Sequence, residues 1–213
     1  MFSTWVWALG LFSLSAPAAG AAVAAHRFKT MPAGSTLYAF GPNISALPVF
    51  YADGKAYIGN VAPEGASTVM NVTFTLNNTI LYATPSATTT TNTTSTNTTK
   101  LLTALNPTTN ANDPVEFVSS TSDTTLSTSG FMFYGNQLSW RDSDGTIVQN
   151  FWAAPVTADT SSAAATTDDE AVVYSLTWNA NNTAVEGSVP VLIEYNTGST
   201  IADGTGPNRL LLK

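Results

Sequence analysis

The 213-residue chain has no cysteine, one histidine, and only seven lysines and arginines against fourteen acidic residues. Without thiols there is no disulfide framework, no thiolate metal site, no cysteine nucleophile and no dithiol redox chemistry. The lone histidine, His26, follows directly on a charge-free leader. A serine–histidine–aspartate mechanism would have to place its general base at that junction. A copper site at a mature amino terminus would need a second imidazole, and the chain has none. Basic residues are too few and too scattered to neutralise a phosphate backbone, and the formal charge is −7, so nucleic acid is not an expected partner. Charged residues make up 10% of the chain, which leaves threonine, serine, asparagine and attached sugar to solvate the surface.

What is present begins with Met1–Ala25, which carries no charged side chain. Trp5–Leu14 is an apolar stretch of signal-peptide length, and the small residues after it supply A-x-A cleavage sites. The expectation is a signal peptide over 1–24, cut after Ala22-Val23-Ala24, with Ala19-Gly20-Ala21 as the second choice. Pro17 and the Ala/Gly tail argue against an uncleaved anchor, and Arg209–Lys213 lacks the hydrophobic tail of a glycolipid-anchor signal. The mature protein, 25–213, is expected to be secreted or wall-associated. A secreted chain of this size without disulfides must bury a substantial hydrophobic core.

Helical periodicity is almost absent after the leader, and strand alternation is frequent. Met70, Val72, Phe74 and Leu76 share one face, with Asn71, Thr73 and Thr75 on the other. Val172, Tyr174, Leu176 and Trp178 form a second such face, and Val189, Val191, Ile193 and Tyr195 a third. Asp53-Gly54 between two aromatic runs predicts a type I′ hairpin, and Gly135-Asn136 and Asp142–Gly145 predict further turns. Some eleven or twelve short strands follow from this punctuation. The fold class is all-β, an antiparallel β-sandwich, with a β-trefoil or other closed barrel-like fold as the alternative. VFYADGKAYIG and FMFYGNQLSWR share paired aromatics and a glycine turn, as halves of a duplicated unit or as two unrelated aromatic hairpins.

Thr84–Thr99 holds ten threonines and two serines in sixteen residues. Residues 84–100 therefore predict a low-complexity, O-glycosylated loop or linker within one all-β domain; a split into two subdomains there is the alternative. Sequons stand at Asn43, Asn71, Asn77, Asn92, Asn97 and Asn181, whereas Pro107 disqualifies Asn106.

Three kinds of chemistry compete for the remaining residues. Trp140, Trp152, Trp178 and Tyr57 offer rings on which pyranose faces stack, but each also sits where a strand expects a core aromatic. Glu116, Glu186, Glu194, Asp142 and Asp144 are carboxylates from which a glycosidase pair would be drawn. Glu194 alternates with Ile193 and Tyr195 and so faces away from their apolar side. Asp142 and Asp144 also offer oxygens to calcium, although Asp142-Ser143-Asp144-Gly145 lacks the rest of a twelve-residue calcium loop and reads first as a turn. No catalytic residue, metal or cofactor is assigned.

LPVFYADGKAYIGN, FYGNQLSWRDSDG and VYSLTWN, with the leader and the Thr/Asn-rich insert, resemble the small secreted surface glycoproteins of filamentous fungi. The resemblance implies an extracellular or cell-wall location and carries over no site residue. The expectation is a non-enzymatic, N- and O-glycosylated extracellular protein whose partners are cell-wall polysaccharide or a host surface. A lectin-like carbohydrate-binding module is the alternative, and a two-carboxylate glycoside hydrolase the third reading.

Overall fold

A computed structural model of the chain describes residues 31–86, 99–159 and 171–196. The expected leader, His26, Asn92, Asn97, most of the Thr-rich segment and Asp168–Glu170 lie outside the described residues. The described part is all-β. Its strands are β1 (Leu37–Gly41), β2 (Ile44–Ala52), β3 (Lys55–Gly59), β4 (Val69–Asn77), β5 (Ile80–Pro85), β6 (Leu101–Ala104), β7 (Asn112–Pro114) and β8 (Glu116–Val118). They continue with β9 (Phe131–Tyr134), β10 (Gln137–Arg141), β11 (Ile147–Val148), β12 (Phe151–Pro155), β13 (Val173–Asn179), β14 (Val189–Pro190) and β15 (Leu192–Tyr195). The excess over the predicted eleven or twelve is accounted for by pieces such as β7, β11 and β14, two or three residues long, too short to show a period.

Pairing closes a ring of six antiparallel strands in the order β2–β4–β5–β6–β8–β3 and back to β2. Strands β13, β12, β14 and β7 extend this barrel sheet from β3. A second, flanking sheet runs β1–β15–β10–β9, with β11 beside the end of β10. The expected all-β class is thus observed, as a closed six-strand antiparallel ring with further strands joined to it.

β2 joins the two sheets. Its first half pairs with β1, and Val49–Ala52 pairs with β3. The change of sheet is prepared by a bulge, where Ser45 and Ala46 together oppose Phe40, since Ala39 faces Leu47 and Gly41 faces Ile44. Ala46 takes a φ of 53° there, and such an extra residue bends the strand.

Turn chemistry at the hairpins follows from residue type. Asp53 and Gly54 both have positive φ, 45° and 87°, as a type I′ turn requires. In the β9–β10 hairpin only Gly135 is positive, at 67°, the type II′ pattern. The two aromatic hairpins therefore use different turns and lie in different sheets. Asn43 (φ 59°) follows Pro42, the type II arrangement.

One contiguous core lies between the sheets. Leu37, Phe131, Phe133, Leu138, Trp140, Ile193 and Tyr195 come from the flanking sheet; Val49, Ile58, Phe74, Leu81, Phe117, Phe151 and Trp178 come from the barrel sheet. Trp178 is its hub, edge-on to Trp140 at 5.6 Å and to Phe151 at 5.0 Å between ring centroids. A residual cavity of about 10 Å³ lined by Leu37, Phe74, Leu138, Phe151 and Thr103 sits in this core. Its exposed lining is wholly apolar and gives no partner to a water that needs two or more, so it stays dry.

A smaller apolar cluster lies on the opposite side of the barrel sheet. Phe50, Ala52 and Val173 are buried there under Tyr57, Val61, Ala66, Val69, Val156 and Ala158. The connection from β3 to β4 is held down over them by Asp53, whose two carboxylate oxygens accept the Ser67 and Thr68 amides at 2.8 Å each. It is further tied by the Pro63–Ala158 bridge and by Asn60, whose Oδ1 accepts the Val172 amide.

Candidate functional site

Of the four rings weighed between sugar platform and core, the three tryptophans are structural. Trp178 is 1% exposed, Trp140 6% and Trp152 7%, so none presents a face to a ligand. Trp140 donates its Nε1–H to the Ser129 carbonyl at 2.8 Å, and Gly130 passes so close that a Cβ there would lie 2.6 Å from the same nitrogen. Trp152 faces outward from the barrel sheet, beside Thr177, and its Nε1–H is accepted by Asn182 Oδ1 at 3.1 Å. The loop after β13 covers it. Tyr57 is half-buried and stacks on Phe50 at 5.8 Å. Burial, and then the charge of Asp53, push its phenol above the usual range.

The calcium candidates serve the turn between β10 and β11. Asp144 Oδ1 accepts the Thr146 amide, Asp142 Oδ1 accepts the Ser143 amide, and the Gly145 amide reaches the Asp142 carbonyl at 2.9 Å. The bonds from Thr146 hold the Asp144 carboxyl below the ordinary carboxylate range. Among the described residues no group of three or more His, Asp or Glu side chains is placed to hold a metal ion. Of the glycosidase candidates, Glu186 lies exposed in the loop after β13, and Glu116 stands opposite Lys55 and Ala104.

Glu194 is different. It projects from the outer face of the flanking sheet, opposite to buried Ile193 and Tyr195. Its Oε2 accepts Asn136 Nδ2 at 2.7 Å, and its Oε1 accepts Gln137 Nε2 at 3.0 Å. Gln149 crosses the same face and donates to Gln137 Oε1 at 3.3 Å and to Ser139 Oγ at 3.0 Å.

The strand registers line these groups up. Pro48 faces Tyr38, Tyr38 faces Glu194, Glu194 faces Gln137 and Gln137 faces Tyr134. Directly opposed residues of antiparallel strands share a face, so five strands present one row: Pro48–Tyr38–Glu194–Gln137–Tyr134. Phe40 and Leu192 stand opposed on the same face, two residues along their strands from Tyr38 and Glu194. Tyr134 is 41% exposed and Leu192 39%.

Sequence reasoning identified Glu194 and its outward direction but missed its neighbours. Tyr38 and Tyr134 are 96 residues apart, and nothing local announces a shared row. The usable signal was polar glutamine, serine and glutamate alternating with core residues on β10 and β15. Compared with known protein families, curated proteins and solved structures, the chain matches none.

Proposed function

We propose that the protein is a secreted, glycosylated, non-enzymatic extracellular or cell-wall glycoprotein. The observation that carries this reading is the placement of the sequons. Asn43, Asn71, Asn77 and Asn181 are all exposed, although they occupy a turn, an outward strand position, a strand end and a loop. Asn71 alternates with buried Val72 on β4, so a glycan there leaves the core untouched. Asn181 is tied to Asn110, whose backbone amide its Oδ1 accepts. Attachment of sugar replaces one amide hydrogen and spares that acceptor.

The non-enzymatic part is supported by the surroundings of the acids. The two-carboxylate mechanism needs a second acid within about 5–10 Å. Glu194 instead has Tyr38 and Gln137 directly beside it, and Asp142 and Asp144 are spent on their own turn.

Expression of the full chain in a eukaryotic secretory host tests the reading. The expected product is in the medium, begins near residue 25, and loses mass with peptide-N-glycosidase, which leaves aspartate at Asn43, Asn71, Asn77 and Asn181. Unmodified protein retained in the cell would refute it.

A further inference from the structure

We infer that the outer face of the flanking sheet is a saccharide-binding site, with Tyr38, Glu194 and Gln137 at its centre and a neutral β-linked oligosaccharide as its ligand. This site is separate from the buried tryptophans and does not depend on the protein's own glycosylation.

Three features select that ligand. First, the row combines the two things a pyranose needs. An equatorially substituted sugar ring has flat C–H faces that pack on a tyrosine and a rim of hydroxyls that need donors and acceptors. Tyr38 and Tyr134 flank Glu194 and Gln137 in register. At about 4.8 Å per strand, Tyr38 to Tyr134 covers roughly 14 Å, enough for a short run of rings rather than a monosaccharide.

Second, the polar groups are held in place before any ligand arrives. The carboxylate of Glu194 is held at both oxygens by amides, and Gln137 is held in turn by Gln149. Each carboxylate oxygen keeps a second lone pair, so neighbouring hydroxyls of one sugar ring can donate to the two oxygens together. Fixing these side chains in the free protein removes the ordering cost that otherwise weakens a polar site.

Third, charge excludes the other polymers. A central carboxylate in a chain of net charge −7 repels phosphorylated, sulfated or uronic-acid ligands. An entirely apolar partner would leave the carboxylate and amides desolvated without compensation. A neutral polyol satisfies both conditions.

The test uses the full secreted chain, with and without enzymatic removal of its N-glycans, titrated calorimetrically with cellohexaose, laminarihexaose and chitohexaose. Binding to at least one hexaose is expected. Glu194→Gln and Tyr38→Ala should each weaken it tenfold or more, while Tyr38→Phe stays within about threefold of wild type because the ring is kept. Thermal midpoints close to wild type for these variants separate loss of the site from loss of the fold, and Tyr38→Ala serves alone if Glu194→Gln fails to fold. Binding seen only after deglycosylation also supports the site, since the attached sugars would then be competing for it. No binding in either form overturns the inference, as does binding that neither Glu194→Gln nor Tyr38→Ala changes. Concentration-dependent dimerisation abolished by the same substitutions, without saccharide binding, would replace it with self-association.

Discussion

The two sheets share one core, but their outer faces are treated in opposite ways. On the barrel side the outer face is covered. β13 is buried on both faces: Leu176 and Trp178 point inward, while Val173, Ser175, Thr177 and Asn179 lie under loops with exposures of 8% or less. On the flanking side no such lid lies over Tyr38, Gln137 and Glu194 among the described residues, and all three are partly exposed. The covered face satisfies its polar groups largely through main chain, as when Thr177 Oγ1 donates to the Trp152 carbonyl and Asn179 pairs with Thr183, with Trp152 Nε1 and the Asn182 side chain as an exception. The open face satisfies them through other side chains. Main-chain partners fix a loop onto a sheet; side-chain partners leave a surface formed and still able to bond. The first arrangement serves stability, and the second leaves material for recognition.

The deepest way to break the comparison is to remove what both faces back onto. Trp178→Ala should cost about 3–5 kcal/mol, as large aromatic truncations in cores do. Because Trp178 contacts Trp140 of the flanking sheet and Phe151 of the barrel sheet, both sheets should melt in a single transition at a lower temperature. Two separated transitions in calorimetry would show that the sheets do not share a core.

Gly59→Ala strikes the covered side alone. Gly59 has φ 150°, and a Cβ would lie 2.3 Å from the Val172 carbonyl oxygen and 2.9 Å from Val173 Cα. β3 and β13 must separate, at a cost of about 2–3 kcal/mol from strain and lost packing. A denaturation midpoint unchanged from wild type would contradict the close approach.

A matched pair sharpens the contrast. Asp53→Ala removes the carboxylate that accepts two loop amides and puts alanine at φ 45°, together worth about 1–2 kcal/mol. Hydrogen exchange should accelerate at Ser67 and Thr68. Gln149→Ala on the open face should shift stability by no more than about 0.5 kcal/mol, as surface changes usually do. Equal losses in the two variants would erase the distinction between lid and open surface.

What could be read in advance was the part governed by neighbours in sequence. Asp53-Gly54 specified its turn by residue type alone, and the alternation Val72–Phe74 against Asn71 specified which face is inside. Thr84 and Pro85 belong to β5, opposite Thr73 and Val72, because pairing with β4 outweighs the composition of the segment they open. Trp140, Trp152 and Trp178 could not be sorted between platform and core, because alternation tells which residues share a face and not whether a loop covers it. Phe151 and Trp152 make the point: adjacent residues that point to opposite faces are both buried, since the second face has a lid. The Tyr38–Glu194–Gln137–Tyr134 row was hidden for another reason. Its register joins β1 to β15 and β15 to β10 across more than 50 residues each time, and no local pattern encodes such pairings.

The subtlest difference between the two regions is their response to alkali. Tyr57 on the covered face and Tyr195 beneath the open one both have phenols raised above the ordinary value of 10.0, Tyr195 by burial and Tyr57 by burial and then by the Asp53 charge. A raised folded-state value means that the unfolded chain loses its proton first, so the contribution is complete below pH 10 and declines as pH rises toward the folded value. Thermal midpoints should therefore fall as the pH rises above 10 in the wild type. Tyr57→Phe should flatten that slope in part and leave the Tyr195 share intact. Asp53→Asn, which keeps an acceptor oxygen but removes the charge, should flatten it less than Tyr57→Phe does, because burial is the larger cause. An Asp53→Asn effect larger than that of Tyr57→Phe would mean that charge, and not the lid, dominates at Tyr57, and the covered face would then be less sealed than its packing implies.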